Sequence, residues 1–428
     1  MKIGFYTLGC KVNQFETQAL AQLAAARGYE RVESGADVFL INTCTVTSVS
    51  EQKNMRAIRR IRRENPNAVI AACGCFAQTS PERLSALPEI DLVFGTTERA
   101  KILDRCEAEL RERTHAQYVR PLRTAHDLFE MLPAGVLPGH TRALLKVQDG
   151  CDNYCSYCII PYARGHIRSL PPALAVTQAQ ALAAMGAKEV ILTGIEISSY
   201  GRDLEDKPTL AALVDSLCQS APKVRFRLGS LEPRTVTEEF CRTLAKHQNL
   251  AHHFHLSLQS GCDATLKRMN RKYTTQEYAD RVELLRRFFP DCSITTDLIT
   301  GFPQETEGEF QATLAFLQRI RFASVHVFPY SEREGTPAAQ MEQLPVPVRT
   351  QRADTARRLA AALSEEFLCG FVGKTVPVLL ERSHAEFQPA HSKWHFAVHL
   401  PPESGAQGSI QHARLTGVQD GVLLGTIE

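Results

Sequence analysis

Three cysteines fall within eight residues in the run Cys151-Asp-Asn-Tyr-Cys155-Ser-Tyr-Cys158. Three and then two residues separate them, and no fourth cysteine follows closely. Three thiolates on one tight loop can hold three corners of an iron–sulfur cube and leave the fourth iron open. An open position marks a metal centre that reacts rather than one that only braces the fold. A zinc site with His166 as fourth ligand is the main rival. A disulfide or a set of buried thiols comes after it.

Such a loop needs a scaffold, and the chain offers one by alternating strand and helix patterns. Lys2–Leu8, Asp37–Thr43, Ala68–Gly74 and Asp91–Gly95 read as short buried strands, with amphipathic helices over Asn13–Ala26 and Ser48–Glu64. This order predicts a doubly wound parallel sheet. Cys10, Cys44 and Cys75 each follow one of its first three strands. Sites in open parallel sheets form beyond the carboxyl ends of the strands, so these three thiols would converge at one edge. Buried cysteines placed there by chance are the alternative.

From Arg142 the alternation restarts with a longer rhythm. Ala143–Gln148, Glu189–Gly194, Val224–Gly229, His253–Leu258, Ser293–Ile299 and Ser324–Phe328 predict a partial (β/α)6 barrel whose first strand leads into the Cys151 loop. A helix over Pro347–Leu368 follows. Lys374–Leu380, Trp394–Leu400, Gln411–Gly417 and Val422–Ile427 then predict a small antiparallel β-barrel. The expected organisation is an α/β chain with units at 1–112, 141–368 and 370–428, and a connector at 113–140.

Composition bounds the function classes. The chain has 428 residues and a net charge of +2, so nucleic-acid binding would have to come from local patches. No secretory signal is evident and no apolar run reaches the ~20 residues of a membrane span. Thirteen cysteines in such a chain point to reduced thiols, metal ligation and a cytoplasmic location.

Several motifs resemble one family. Thr7-Leu-Gly-Cys-Lys-Val-Asn-Gln14, Asn42-Thr-Cys-Thr-Val-Thr47 and Gly74-Cys-Phe-Ala-Gln78 are similar to the N-terminal domain of methylthiotransferases. The run from Gln148 to Gly165 resembles their radical S-adenosylmethionine (SAM) loop. Leu192-Thr-Gly194, Ser230-Leu-Glu-Pro233, Leu256-Ser-Leu-Gln-Ser-Gly261 and Thr296-Asp-Leu-Ile-Thr-Gly-Phe-Pro303 resemble the strand ends that follow. Tyr330 to Ala338 resembles the segment that closes the barrel. The similarity is collinear over nearly the whole chain. The run Leu8–Thr17 looks most like the branch that methylthiolates N6-threonylcarbamoyladenosine in tRNA next to the anticodon. Other branches act on isopentenyladenosine in tRNA or on a ribosomal protein aspartate. A non-catalytic RNA-binding protein bearing zinc or a cluster is the reading from another class.

The resemblance implies a [4Fe-4S] cluster on Cys151, Cys155 and Cys158 that binds and cleaves SAM to a carbon radical. It implies a second, auxiliary [4Fe-4S] cluster on Cys10, Cys44 and Cys75. One SAM would supply a methyl group to sulfur and a second the radical, because C2 of adenine has no useful acidity. Cys73, one pleat before Cys75, reads as a buried small residue. Tyr157 would pack by the SAM adenine or in the core. Gly194, Glu232, Gln259 and Asp297 would line the SAM pocket or serve as turn and cap residues. Arg164 could meet the SAM carboxylate, an RNA phosphate or solvent.

Arg56, Arg59, Arg60 and Arg63 recur at i, i+3, i+4 and i+7, a stripe suited to phosphates or simply a solvated face. The C-terminal unit resembles the TRAM RNA-binding barrel. Where that family often shows Gly-His-Thr-x-Asn-Tyr, this chain has Ala390-His-Ser-Lys-Trp-His395. Trp394 offers a stacking surface or a core residue. The implied partners are tRNA, an electron donor such as flavodoxin or ferredoxin, and a sulfur source, with no membrane.

Overall fold

Val38–Thr43 and Val69–Gly74 are buried at every position, which a strand shows only when both faces of its sheet are covered. The computed structural model describes residues 1–122, 128–135 and 141–428. It places these two strands at the centre of a six-stranded parallel sheet. The strands are β1 (Lys2–Thr7), β2 (Glu30–Arg31), β3 (Val38–Thr43), β4 (Val69–Gly74), β5 (Leu92–Phe94) and β6 (Ala116–Tyr118), in the order β2-β1-β3-β4-β5-β6. Alternate residues face opposite layers, as the strand period requires. Val38, Leu40, Val69 and Ala71 pack with Leu20, Ile102 and Leu103. Phe39, Ile41, Ile70 and Ala72 pack with Ile58 and Ile61. The order reverses between β1 and β3, so a crevice opens beyond their carboxyl ends.

The central unit is two successive parallel sheets, one of β7 (Arg142–Lys146), β10 (Glu189–Thr193) and β11 (Arg225–Leu228), the other of β12 (Ser230–Leu231), β13 (His253–Leu256), β14 (Ser293–Thr300) and β15 (Ser324–Pro329). Only Gly229 separates β11 from β12, so the two fill one position of a six-position partial barrel. β8 (Gln148–Asp149) and β9 (Arg168–Ser169) pair antiparallel and clamp the two ends of the cysteine loop. Helix Val346–Cys369 packs Ala353, Ala356, Ala360 and Leu363 into the barrel core. The chain then forms a closed barrel of β16 (Thr375–Leu380), β17 (Gln388–Ser392), β18 (Ala397–Leu400), β19 (Ile410–Gln419) and β20 (Val422–Ile427), in the order β16-β17-β18-β20-β19. The α/β class and all three architectures match the sequence-based expectation.

The differences are local. β2, β8, β9 and β12 have two residues and β6 has three, too few for a period to register. β6 lies inside the expected connector. The rest of that segment falls partly at 123–127 and 136–140, outside the described residues. The C-terminal barrel is not purely antiparallel, because β18 and β20 pair parallel to close it. The expected strand over Trp394–Leu400 begins only at Ala397. Trp394 lies in the turn after β17, where His395 takes a left-handed φ of 74°. No helix among the described residues is long and apolar enough to cross a membrane.

Candidate active site

The Cys151 loop is held by its own backbone and by one neighbouring turn. Gly150 has a φ of +73°, and a Cβ there would lie 1.8 Å from the His166 carbonyl oxygen, so only glycine fits. Cys151 N donates to Gly165 O at 3.0 Å, and Cys158 N to Cys155 O at 2.9 Å. Ser156 binds the 268–269 turn twice, from N to Met269 O and from Oγ to Arg268 O. Two residues on, Arg271 Nη1 donates to Cys155 Sγ at 3.3 Å. Burial pushes the Cys151 thiol well above its ordinary range and Cys158 up to about 12. Metal loading on these thiols would release protons, and Arg271 stands where it would offset thiolate charge.

The second set sits at the crevice between β1 and β3 and beside β4. Cys10 caps helix Lys11–Ala26, Cys44 directly follows β3, and Cys75 opens the short helix Cys75–Thr79 after β4. A Cβ on Gly9 would lie 3.1 Å from that of Cys44, so the β1 exit turn runs against β3. Asn13 Nδ2 donates to Leu8 O and Thr43 O, and Asn54 Nδ2 to Cys44 O. Cys44 and Cys75 are buried and Cys10 is exposed. Burial pushes Cys75 up to about 12 against the opposing Arg164 charge, and Cys10 and Cys44 are close enough to add to the rise. Cys73 does not share a strand face with Cys75, because β4 ends at Gly74. Cys73 packs instead with Leu40, Val69 and Cys106 in the sheet core.

One side chain joins the two sets. Arg164 ends the short helix that follows the Cys151 loop and is fully buried. Its Nε donates to Cys75 Sγ at 3.2 Å, and its Nη atoms to Glu16 and Asn13. This corrects the reading of Arg164 as a contact for SAM, phosphate or solvent. Cys75 also raises Cys158, after burial and Cys155, so the two thiol sets face each other. Arg333 seals the same seam by donating to Thr45 O and Glu51.

Two cavities open on this seam. One of about 230 Å³ is lined by Tyr157, Cys158, Gln259, Asp297 and Tyr330. The other, about 550 Å³, runs down the barrel interior past Cys10, Lys11, Gly194, His253 and Asp297. Asp297 borders both. Gln259 holds a φ of 68°, and its backbone bridges Asp297 O and Ile299 N. A Cβ on Gly194 would lie 2.9 Å from the Gln148 backbone carbonyl oxygen, so that strand end resists a side chain. Glu232 lines neither cavity. It is 4% exposed and its carboxylate takes Arg234 Nε at 2.6 Å.

The arginine stripe is exposed, with 3.9 Å contacts from Arg59 to Glu89 and from Arg60 to Glu64, and with the Arg60 guanidinium 5.9 Å from the centre of the Tyr6 ring. Trp394 is not a stacking platform. It is 9% exposed and packs against Phe371 and Phe396. The polypeptide around it plugs the lower mouth of the central barrel. Arg225, Arg227 and Ser293 donate to the carbonyls of His391, Ser392 and Trp394.

The donors fit an iron–sulfur cluster better than zinc. Among the described residues no three His, Cys, Asp or Glu side chains converge as a single metal ion needs. The loop offers three thiols and a compensating arginine, a donor set suited to a cluster.

Residues 145–317 match the Radical SAM superfamily and residues 2–95 the uncharacterized protein family UPF0004. The fold is similar to that of the radical SAM methyltransferase TsrM from Kitasatospora setae with cobalamin and a [4Fe-4S] cluster bound. That likeness has a TM-score of 0.57 at 16% identity over 79% of this chain and 77% of that one. The chain is a radical SAM enzyme, a class that carries a [4Fe-4S] cluster and uses SAM. It is 41% identical over 388 residues to the threonylcarbamoyladenosine tRNA methylthiotransferase MtaB of Bacillus subtilis strain 168, covering 90% of this chain and 86% of that protein. It is 34% identical to the tRNA-2-methylthio-N(6)-dimethylallyladenosine synthase of Staphylococcus haemolyticus, covering 88% and 74%. The chain belongs to the radical SAM methylthiotransferase family.

Proposed function

We propose that this enzyme methylthiolates C2 of N6-threonylcarbamoyladenosine in tRNA, next to the anticodon. The observation that carries the reading is the pair of facing thiol sets joined through Arg164. Cys151, Cys155 and Cys158 would hold the cluster that binds SAM, and Cys10, Cys44 and Cys75 an auxiliary [4Fe-4S] cluster. When bound, these groups supply the radical and the sulfur. The chain's own residues position them. Tyr157, Gln259 and Asp297 border the small cavity beside Cys158, Gly194 borders the larger one, and Arg164 and Arg271 face the thiols. The relatives' names support a tRNA substrate, and relatives named for threonylcarbamoyladenosine are 33–41% identical, against 32–34% for those named for the dimethylallyl product. Units at 1–112, 141–368 and 370–428, a cytoplasmic location, a flavodoxin- or ferredoxin-like electron donor and a separate sulfur source complete the proposal.

The test incubates the reconstituted enzyme with tRNA bearing threonylcarbamoyladenosine, with tRNA bearing isopentenyladenosine, and with the ribosomal protein. Mass spectrometry should find methylthiolation of the first. Reaction of only the second or third would overturn the substrate. Replacing Cys10, Cys44 and Cys75 together should stop sulfur insertion but spare reductive SAM cleavage, because the Cys151 loop is held by other contacts. Cys73→Ser should keep its auxiliary cluster, and loss of that cluster would reassign the ligand.

The stripe Arg56, Arg59, Arg60 and Arg63 would contact tRNA phosphates. Arg59→Glu with Arg63→Glu should raise the KM for tRNA severalfold and flatten its salt dependence. An unchanged salt slope would leave the stripe as a solvated face. Removing residues after Gly370 is a poor test of RNA binding, because Arg225, Arg227 and Ser293 would lose their partners in the plug.

A further inference from the structure

The larger cavity contains polar groups that the cluster and SAM chemistry does not use. Lys11 directly follows Cys10 and lines its wall. Among the described residues Lys11 Nζ forms neither a hydrogen bond nor an ion pair. The carboxylate of Glu189, which lies within electrostatic reach, is taken by Arg225 and Arg227. On the same cavity, His253 is 3% exposed and its Nδ1 has no partner, while its Nε2 meets Thr295 Oγ1 at 2.9 Å. His395, with its ring centroid 4.4 Å from that of His253, also has a bare Nδ1. Burial keeps both rings neutral, so each can donate or accept according to its tautomer. A buried polar atom without a partner is costly, and a cavity lined by several is complementary to a polar ligand.

We propose that Lys11, with His253 and His395 lining the same cavity, forms a subsite for the carboxylate-bearing side chain of the modified adenosine. The inference rests on the threonylcarbamoyl reading above and deepens it. That side chain carries a carboxylate, a hydroxyl and a urea, which can pair with one cation and neutral ring nitrogens. An isopentenyl group carries none of these and would leave Lys11 and the two Nδ1 atoms unsatisfied. A site built to bind polar groups rejects the analogue lacking them far more strongly than an apolar pocket rejects an extra group. Lys11 would thus make the discrimination from a position beside the auxiliary thiols.

The experiment compares tRNA bearing threonylcarbamoyladenosine with the same tRNA after methyl esterification of the threonyl carboxylate. Wild type should prefer the acid over the ester by about 10- to 100-fold in kcat/KM, the range of a charge-assisted hydrogen bond. Lys11→Gln should bring that ratio close to one, and Lys11→Arg should restore most of it. The ratio within one variant cancels any change in cluster content, which Cys10 next door makes necessary. An acid-to-ester ratio unchanged in Lys11→Gln would overturn the subsite while leaving the substrate in place. A wild type inactive on the acid tRNA but active on isopentenyladenosine tRNA would overturn the substrate reading itself, and the subsite with it.

Discussion

Replacing Cys151, Cys155 and Cys158 together by alanine is expected to remove about half of the iron and sulfide of the reconstituted protein, from about eight of each to about four. Reductive SAM cleavage should vanish, since the open iron that would bind SAM belongs to this set. The loop itself should survive. Ser156 keeps both bonds to the 268–269 turn, β8 keeps its pairing with β9, and Gly150 keeps its fit under His166. The remaining iron should stay on Cys10, Cys44 and Cys75, held by Asn13, Asn54 and the β1–β3 crevice. Arg271 makes a second, graded version of the experiment. Arg271→Met removes the cation beside Cys155 Sγ, and the cluster should load less completely and be reduced at a lower potential. Iron and sulfide analysis with electron paramagnetic resonance reads both outcomes. Unaltered iron content in the triple variant would falsify the two-cluster assignment.

The parts legible in the sequence were those that local rules govern. Asp37–Thr43 and Ala68–Gly74 read as short buried strands because their largely apolar runs are too short for a helix, and the structure forms strands at Val38–Thr43 and Val69–Gly74 with every position buried. Cys10, Cys44 and Cys75 were readable as neighbours because each follows a parallel strand, and parallel strands end on one edge. What escaped depends on pairs distant in sequence. Arg164 lies 148 residues from Glu16 and 89 from Cys75, and Arg271 lies 116 from Cys155. No period links such residues. Glu16 did leave a signal. It falls on the face of its helix that carries Val12, Phe15, Ala19 and Leu20, all buried, so the helical period already places a carboxylate in the interior. Trp394 fitted either a core or an RNA surface, and the aromatic cluster of Phe371 and Phe396 decides for the core.

Glu16→Gln should be the most destabilising single change in the seam, costing about 3–5 kcal/mol. Glu16 is fully buried and contacts Arg164 at 2.5 Å, Arg99 at 3.0 Å and Lys146 at 3.1 Å. Lys146 and Arg164 also share Asp149, and Arg99 shares Glu130. Glutamine has nearly the same shape, so packing is kept, but the charge goes and one acceptor oxygen becomes an NH2 donor facing other donors. Three buried cations then face one carboxylate fewer. Lys146→Met in the same chain removes one of those cations and should recover part of the loss, a coupling that a pure packing defect would not show. The charge balance also fixes a pH signature. Burial alone would raise the Glu16 pKa, but Arg164, Arg99 and Lys146 hold it down at about 2 against an ordinary 4.5. Burial likewise opposes ionisation of Asp149, and Lys146, Arg164 and Arg168 hold it below the usual carboxylate range. A carboxylate whose folded pKa is depressed gives its full stabilisation above its unfolded value and loses it as pH falls toward the folded one. The wild type should therefore weaken progressively from about pH 4.5 toward pH 2, and Glu16→Gln should weaken less over that window because one titrating group is gone. Denaturant titrations of both proteins across this range, read at the first unfolding transition of the multi-unit chain, measure the difference. Parallel curves for wild type and variant would mean that the ion network, although buried, does not carry the acid sensitivity of the seam.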